Sequence, residues 1–493
     1  MLVHNLIDQG ADEQIALFTR KQVTYRQLRE AVDRYRAFFY QQGVRRGDNV
    51  GLLSKNSVEF IYSYMAIASL GAVVVPINFQ LVAREIAYII KDAKIKVFVT
   101  MTQLDLQSEL DAYAYLDPVN QLVIPEFSGQ LETADLKPAP ELGDFAGDET
   151  CVIIYTSGTT GNPKGAVLSH NNLVSDAKAF TEVITVEADD NVLCVLPMYH
   201  CFSWTCAVLG ALINGAAITI LDAFNPKEAV ATIRDGGVTI VYGVPVMYQL
   251  YSAVAGAEDF AKVKFFVSGG ASLPETVSRN FDAKFGKPIL EGYGLSEASP
   301  VVCVNHPDKV KYCSIGAVLP GIIARVVDEE GKQVPPGEIG ELVVQGPIVM
   351  KGYHNLPEDT AKALRDGWLH TGDMAYCDQD GYFFIVDRIK DMIITSGENV
   401  YPREIEELLY AHPAVAEAAV IGIPDKLRGQ AGCAYVVMAE GHAFDKKMLR
   451  TYLQKKLAAY KVPREFAQVE VLPKNSTGKI MKRLLRQQAE SVS

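Results

Sequence analysis

Between Tyr155 and His170 the chain reads YTSGTTGNPKGAVLSH. From Thr156 to Gly165 it holds three glycines, four hydroxyl side chains (Thr156, Ser157, Thr159, Thr160) and one lysine, Lys164. Glycines such as Gly158 and Gly161 let backbone N–H groups turn toward an anion. Hydroxyls add donors, and the lysine adds a mobile positive charge. The chemistry this pattern suits is phosphate binding. It is not a Walker A loop, which needs GxxxxGK followed by Ser or Thr. Here Pro163 precedes the lysine and Gly165 follows it.

Three later stretches carry groups that a nucleotide site would use. YGLSE, Tyr293 to Glu297, sets a carboxylate beside a hydroxyl, as a magnesium ion requires. WLHTGD, Trp368 to Asp373, ends in a carboxylate that could accept two hydrogen bonds from ribose hydroxyls. PKNSTGK, Pro473 to Lys479, puts a lysine after a Gly-containing loop near the C-terminus. Each alone is ordinary: a surface turn, common Thr-Gly-Asp turn chemistry, a solvated basic tail. His200 and Trp204 stand one helical turn apart and would face the same way. Their spacing alone reads as a core histidine beside a core tryptophan.

The elements that must position these groups follow a pattern. Residues 24–42 carry apolar positions at helical spacing, with Thr24 as N-cap and Gly43 as stop. Strand-like and helix-like segments then alternate to about residue 100 and again from 150 to about 300, which implies parallel α/β sheets. Residues 104–147, with four prolines, read as peripheral connection. From 315 the texture is of short antiparallel strands. After DRIKD, Asp387 to Asp391, the pattern restarts as a compact α+β unit. The expected fold is a large multi-subdomain α/β body with parallel-type sheets and an antiparallel strand region (1–386), a hinge (387–391) and a small mobile α+β domain (392–493).

At 493 residues the chain is too long for one core. A net charge of −12 argues against nucleic acid as a partner. The eight cysteines show no CxxC or zinc-type spacing, which fits reduced thiols. The opening MLVHNLIDQGADEQ shows no basic segment before an apolar run, so no signal peptide is expected and the expected compartment is cytoplasmic. Residues 191–221 hold no Asp, Glu, Lys or Arg. Pro197, His200, Gly210 and Asn214-Gly215 divide them, so a buried strand–helix–strand unit is expected rather than a transmembrane span.

Seven blocks appear in order along the chain: YTSGTTGNPKG, LPMYH, SGGASLP, YGLSE, GEIGEL, WLHTGD with DRIKD, and PKNSTGK. In this series the sequence resembles the adenylate-forming superfamily, and within it the fatty-acyl-CoA synthetases, over essentially its whole length. That resemblance implies the following roles. Thr156, Ser157, Gly158, Thr159, Thr160, Gly161 and Lys164 cover the phosphates of ATP. Gly269, Gly270 and Ala271 line an adenine slot, and Tyr293, followed by Gly294, stacks on the base. Ser296 and Glu297 serve Mg2+ and the phosphates. Asp373 holds the ribose and Arg388 the nucleotide. Lys390 is the hinge, Gly397 lines the path for coenzyme A, and Lys479 is a mobile catalytic lysine. His200 stands at the acid's carboxylate, with Trp204 at a tunnel mouth.

The implied reaction is ATP-dependent activation of a carboxylic acid to an acyl-adenylate, then transfer to coenzyme A. Lys479, Lys164, Glu297 and His200 would be the catalytic set. CFSWTCAVLG, VYGVPVMY and residues 298–304 carry no charged side chain. A dicarboxylate would need a buried cation there. Gly292 and Gly294 would leave room for a chain. Medium- or long-chain fatty acids are expected, with aryl acids such as cinnamates as the alternative and a separate carrier protein as an alternative acceptor. A homodimer is one assembly left open. A phosphotransferase making ADP is disfavoured by the loop, and a non-catalytic binding module by the retention of Lys479, Glu297 and Asp373.

Overall fold

The computed structural model describes residues 1–19, 21–131, 133–156, 163–425, 427–475 and 478–492. Three sheets organise them. The first has 14 strands. Parallel pairing runs through Ala217–Ile220, Asn191–Cys194, Ile240–Gly243, Phe265–Ser268 and Ile289–Gly294. Beyond Ile289–Gly294 the same sheet turns antiparallel, through Val301–Val304, Gly316–Val318, Tyr382–Arg388, Trp368–Cys377, Gly340–Gln345 and Ile323–Val327. The expected parallel and antiparallel regions are therefore one continuous sheet, and the seam is the strand that carries Tyr293.

The second sheet has seven strands and contains a hairpin, Thr150–Thr156 with Lys164–Ser169, beyond which Gly352–Tyr353 pairs as the edge strand. Residues 157–162, to which the phosphate-loop reading assigns Ser157, Gly158, Thr159, Thr160 and Gly161, lie outside the described residues. Residues 104–147 are more than connection. Asn120–Val123 pairs in parallel with Val97–Thr100 as an edge of this sheet. Its first two residues are polar and Pro118 and Pro125 flank it, which hid the strand in the sequence.

The third sheet, of five strands, begins at Ile393, five residues after the large sheet's strand ends at Arg388. A short 3₁₀ turn, Ile389–Asp391, lies between. Local rules explain the helices. Thr24 and Gln27 form a capping box on Tyr25–Gln41. Pro402 occupies the first turn of Pro402–Tyr410, where its missing N–H costs nothing. The uncharged stretch 191–221 folds as strand, helix and strand, with π-type winding over Ser203–Leu209. Among the described residues no helix is long and apolar enough to cross a membrane. All eight cysteines are free and six are buried.

The seam explains two glycines. A Cβ on Gly294 would collide with the Pro300 carbonyl, and one on Gly292 would meet the Cys303 oxygen at 3.3 Å. Both missing side chains therefore serve close approach of the neighbouring strand, where the sequence suggested room for an acyl chain. Gly294→Ala is expected to cost about 1–3 kcal/mol of stability through overpacking. Gly292→Ala, which needs a shift of only a few tenths of an ångström, should cost less. Thermal unfolding of the two variants side by side checks the order.

Candidate active site

A cavity of about 490 Å³ lies between the large sheet and the domain built on the third sheet. Gly270, Ala271, Tyr293, Gly294, Asp373 and Arg388 form one wall, with Lys390 at the junction. Lys479 and Lys482 reach in from the small domain.

Asp373 and Arg388 face each other as direct partners on adjacent antiparallel strands. Arg388 Nε lies 3.1 Å from Asp373 Oδ1. The Tyr293 hydroxyl donates to Asp373 Oδ2 at 2.5 Å. Burial and the neighbouring Asp373 charge push the Tyr293 hydroxyl well above its usual range, so it stays a donor. One carboxylate thus joins the seam strand to the hairpin that ends in DRIKD.

Lys479 ends a tight turn. Its N–H donates to Asn475 Oδ1 at 2.9 Å, and its carbonyl accepts from the Asn475 N–H at 2.9 Å. Gly478, at φ +77°, lets the turn lie against the body, where Val246 Cγ1 and Val244 Cγ2 would lie 3.5 and 3.6 Å from a Cβ. The Lys479 amine is pushed down to about 8, first by burial and then by the Arg388 charge, with Asp373 opposing. Arg388, Lys482 and Arg486 each have a carboxylate partner: Asp373, Glu406 and Asp391. Among the described residues Lys479 and Lys390 have none within ion-pair distance. Lys390 is also lowered, by burial and by Arg388.

His200 is neutral. Burial, then the Lys479 charge, pushes it down to about 4. Its Nδ1 accepts the Phe202 N–H at 3.2 Å, which puts the proton on Nε2. Trp204, expected at a tunnel mouth, is a core residue. It is 3% exposed and packs into the core, 4.0 Å between ring centroids from Tyr64 and 5.6 Å from Phe60. The Phe202 ring instead lies close to Gly269, 3.0 Å from where its Cβ would be, and edge-on to Tyr242 at 6.1 Å.

Lys164 and the YGLSE carboxylate meet at one tyrosine. Glu297 Oε1 accepts the Tyr353 hydroxyl at 2.8 Å. Lys164 Nζ lies 5.3 Å from the Tyr353 ring centroid and 2.6 Å from Asp359 Oδ1. Thr156 stands opposite Lys164 at the hairpin's open end. Ser296 Oγ is 3.3 Å from Cys201 Sγ. Ser296 and Glu297 offer hard oxygen donors of the kind magnesium prefers.

Gly397 is not at this site. It forms the turn between Ile393–Thr395 and Glu398–Val400, with Ser396 at φ +53° and Gly397 at +85°, exposed and outside the cavity wall. The sequence reading missed Tyr353 and Asp359, whose stretch KGYHNLPED carries no local sign of its partners. It also missed Arg403. The Arg403 N–H donates to Asp387 Oδ2 at 2.8 Å and its Nη1 to the Ile385 carbonyl at 2.9 Å, which ties the small domain to the body.

Comparison with known proteins agrees with this arrangement. The profile of AMP-binding enzymes matches residues 7–354, and that of the AMP-binding enzyme C-terminal domain matches residues 404–479. The chain is 38% identical over 465 residues to a feruloyl-CoA synthase from Amycolatopsis sp, covering 93% of this chain and 92% of the relative. It is 33% identical over 518 residues to a long-chain-fatty-acid–CoA ligase from Bacillus subtilis (strain 168), covering 97% and 92%. ATP-bound MatB from Rhodopseudomonas palustris superposes with a TM-score of 0.93 at 32% identity, over 100% of both chains. The apo form of MatB gives 0.82 at 31% identity, again over 100% of both. With both family profiles matched in order and the charged cleft between the two matched regions, the chain belongs to the AMP-binding enzyme family, the adenylate-forming ligases.

Proposed function

We propose that this enzyme activates an apolar carboxylic acid with ATP and passes the acyl group to coenzyme A. The observation that carries the reading is Lys479: an unpaired, desolvated cation set beside Asp373, Arg388 and Tyr293 in a cleft that closes on it. A carboxylate cannot be attacked by a thiol directly, because it has no acceptable leaving group. In the first step the acid's oxygen forms a bond to the α-phosphorus of ATP, and the bond from that phosphorus to pyrophosphate breaks. Charge gathers on phosphate oxygens, where fixed cations stabilise it. Lys479 serves that centre, and Lys164, with the loop of residues 156–161, holds the phosphates. Asp373 accepts from the ribose, Tyr293 packs on the base beside Gly269, Gly270 and Ala271, and Arg388 pairs with Asp373 and orients it. Neutral His200 donates from Nε2 to the acid's carboxylate. Glu297 and Ser296 would hold a magnesium ion, which supplies further charge neutralisation at the phosphates. In the second step the coenzyme A sulfur bonds to the acyl carbon and AMP leaves.

The domain pose supports the first step. The fit to the ATP-bound form of MatB is better than to its apo form. Gly397 lies outside the cleft in this pose, so its use as the thiol path needs a second pose, reached by rotation at Lys390.

For the acid, we favour an aryl substrate of the cinnamate type. The surroundings of His200 are aromatic: Phe202, two residues on, packs edge-on to Tyr242, and Trp204, the expected gate for a long chain, is buried against Tyr64. The feruloyl-CoA synthase relative supports the same class. The uncharged stretches around His200 also suit a fatty acid, and the long-chain ligase relative favours that second reading. kcat/KM for ferulate, 4-coumarate and benzoate against octanoate to palmitate separates them. The aryl reading expects at least one aryl acid to exceed every fatty acid by about tenfold. A steady rise with chain length, near 0.8 kcal/mol per methylene, would instead assign a fatty-acid tunnel. Equal turnover of malonate would contradict both.

The lowered Lys479 gives a pH dependence. A lysine is the cation below its pKa, so the charge is present below about 8 and is lost as pH rises through it. Because kcat/KM reports the free enzyme, kcat/KM for ATP should fall about tenfold per pH unit above about 8. Lys479→Ala should show a lower profile without that inflection. A wild-type profile that is flat to pH 10 would contradict the assignment.

A further inference from the structure

Of the two lysines that meet the phosphates in the proposed reaction, Lys164 differs from Lys479, because the protein gives it a counter-ion. Lys164 Nζ lies 2.6 Å from Asp359 Oδ1, with the two side chains 27% and 33% exposed. The two ends of this pair are held at a fixed spacing. Lys164 begins the strand Lys164–Ser169, whose Ala166 and Val167 pair with Tyr353 and Gly352. The His354 N–H donates to the Gly165 carbonyl at 2.7 Å, and the Lys351 N–H to that of Val167 at 2.9 Å. The Tyr353 N–H donates to Thr360 Oγ1 at 2.9 Å, which fixes the short helix Pro357–Ala363 that bears Asp359. The backbone is therefore stapled on both sides, while the lysine stem keeps its rotatable bonds. The hydrogen bond from Lys164 holds the Asp359 carboxyl below its usual range, so the carboxylate is charged at neutral pH.

We propose that Asp359 is a positioning residue that competes with pyrophosphate for the Lys164 ammonium, taking the lysine back as pyrophosphate leaves. The proposal rests on the reading that Lys164 meets the phosphates of ATP. A triphosphate carries several charges and outcompetes one half-exposed carboxylate, so ATP draws the lysine across. Once the α-phosphorus bond to pyrophosphate has broken, the departing anion must give up each cation that holds it. Asp359 offers Lys164 an alternative partner at hydrogen-bond distance, so the amine never stands unpaired. The nearby Tyr353 ring keeps the lysine between its two partners, and the Tyr353 hydroxyl on Glu297 ties the exchange to the carboxylate of the same site.

The test is calorimetric binding of inorganic pyrophosphate to the full-length enzyme, which needs no knowledge of the acid. Asp359→Asn should bind pyrophosphate about two- to fivefold more tightly than wild type, the equivalent of one partly exposed ion pair. Pyrophosphate should be a correspondingly stronger product inhibitor of that variant. Asp359→Glu, which keeps the charge, should return toward wild type. In a Lys164→Met background Asp359→Asn should change nothing, because the competition runs through the lysine. Unchanged or weaker pyrophosphate binding in Asp359→Asn would overturn the proposal. Equal tightening in the Lys164→Met background would also overturn it, since the effect would then be long-range charge alone. If Lys164→Met binds pyrophosphate as well as wild type, the phosphate-loop reading falls first and the proposal with it.

Discussion

The site is built around a positive charge that, among the described residues, has no carboxylate within ion-pair distance. Burying an unpaired ammonium is costly, and the group responds by giving up its proton more easily. Lys479 is pushed down to about 8 for that reason, with Arg388 adding repulsion. The surrounding cations Arg388, Lys482 and Arg486 have their own carboxylates, so none is free to trade partners with Lys479. An anion of high charge entering the cleft removes this cost, and the triphosphate of ATP is such an anion. The same constraint makes closure of the small domain and nucleotide binding favour one another.

Among the described residues, both polar and apolar contacts hold the small domain in this pose. Asp387 accepts from the first turn of Pro402–Tyr410 through the Arg403 N–H, and the Arg403 guanidinium donates to the Ile385 carbonyl. The Gly478 turn rests against Val244 and Val246. Such contacts can be exchanged for others, as a reaction with two steps at one centre requires. Gly397, exposed at a hairpin tip, is the group left without a use in this arrangement.

Much of this was legible in the sequence because it is local. Thr24 with Gln27, Pro402 at a helix start and the apolar strand runs all act within a few residues. The motif residues Tyr293, Asp373, Arg388 and Lys479 were named from a family resemblance, and the fold brings them to one cleft. What the sequence could not carry was contact across distance. Trp204 was placed at a tunnel mouth by the family resemblance; helical spacing puts it on the side of His200 but does not say what covers it. Here the cover is Tyr64, from the helix Val58–Ser69. Gly294 was read as room for substrate, yet a strand glycine equally marks close backbone approach, and the Pro300 carbonyl fills that space. Asp359 lies 195 residues from Lys164, and no spacing rule links them.

In the proposed mechanism Lys479 serves only the step in which pyrophosphate leaves, and thioester formation uses the same centre after the small domain has moved. Measuring the two half-reactions separately in Lys479→Ala tests it most directly. Acyl-adenylate formation should slow by roughly 10²–10³-fold, as for loss of one transition-state donor. Thioester formation from preformed acyl-adenylate and coenzyme A should proceed at close to the wild-type rate. Equal loss in both steps would mean that one fixed arrangement performs both, and would contradict the account.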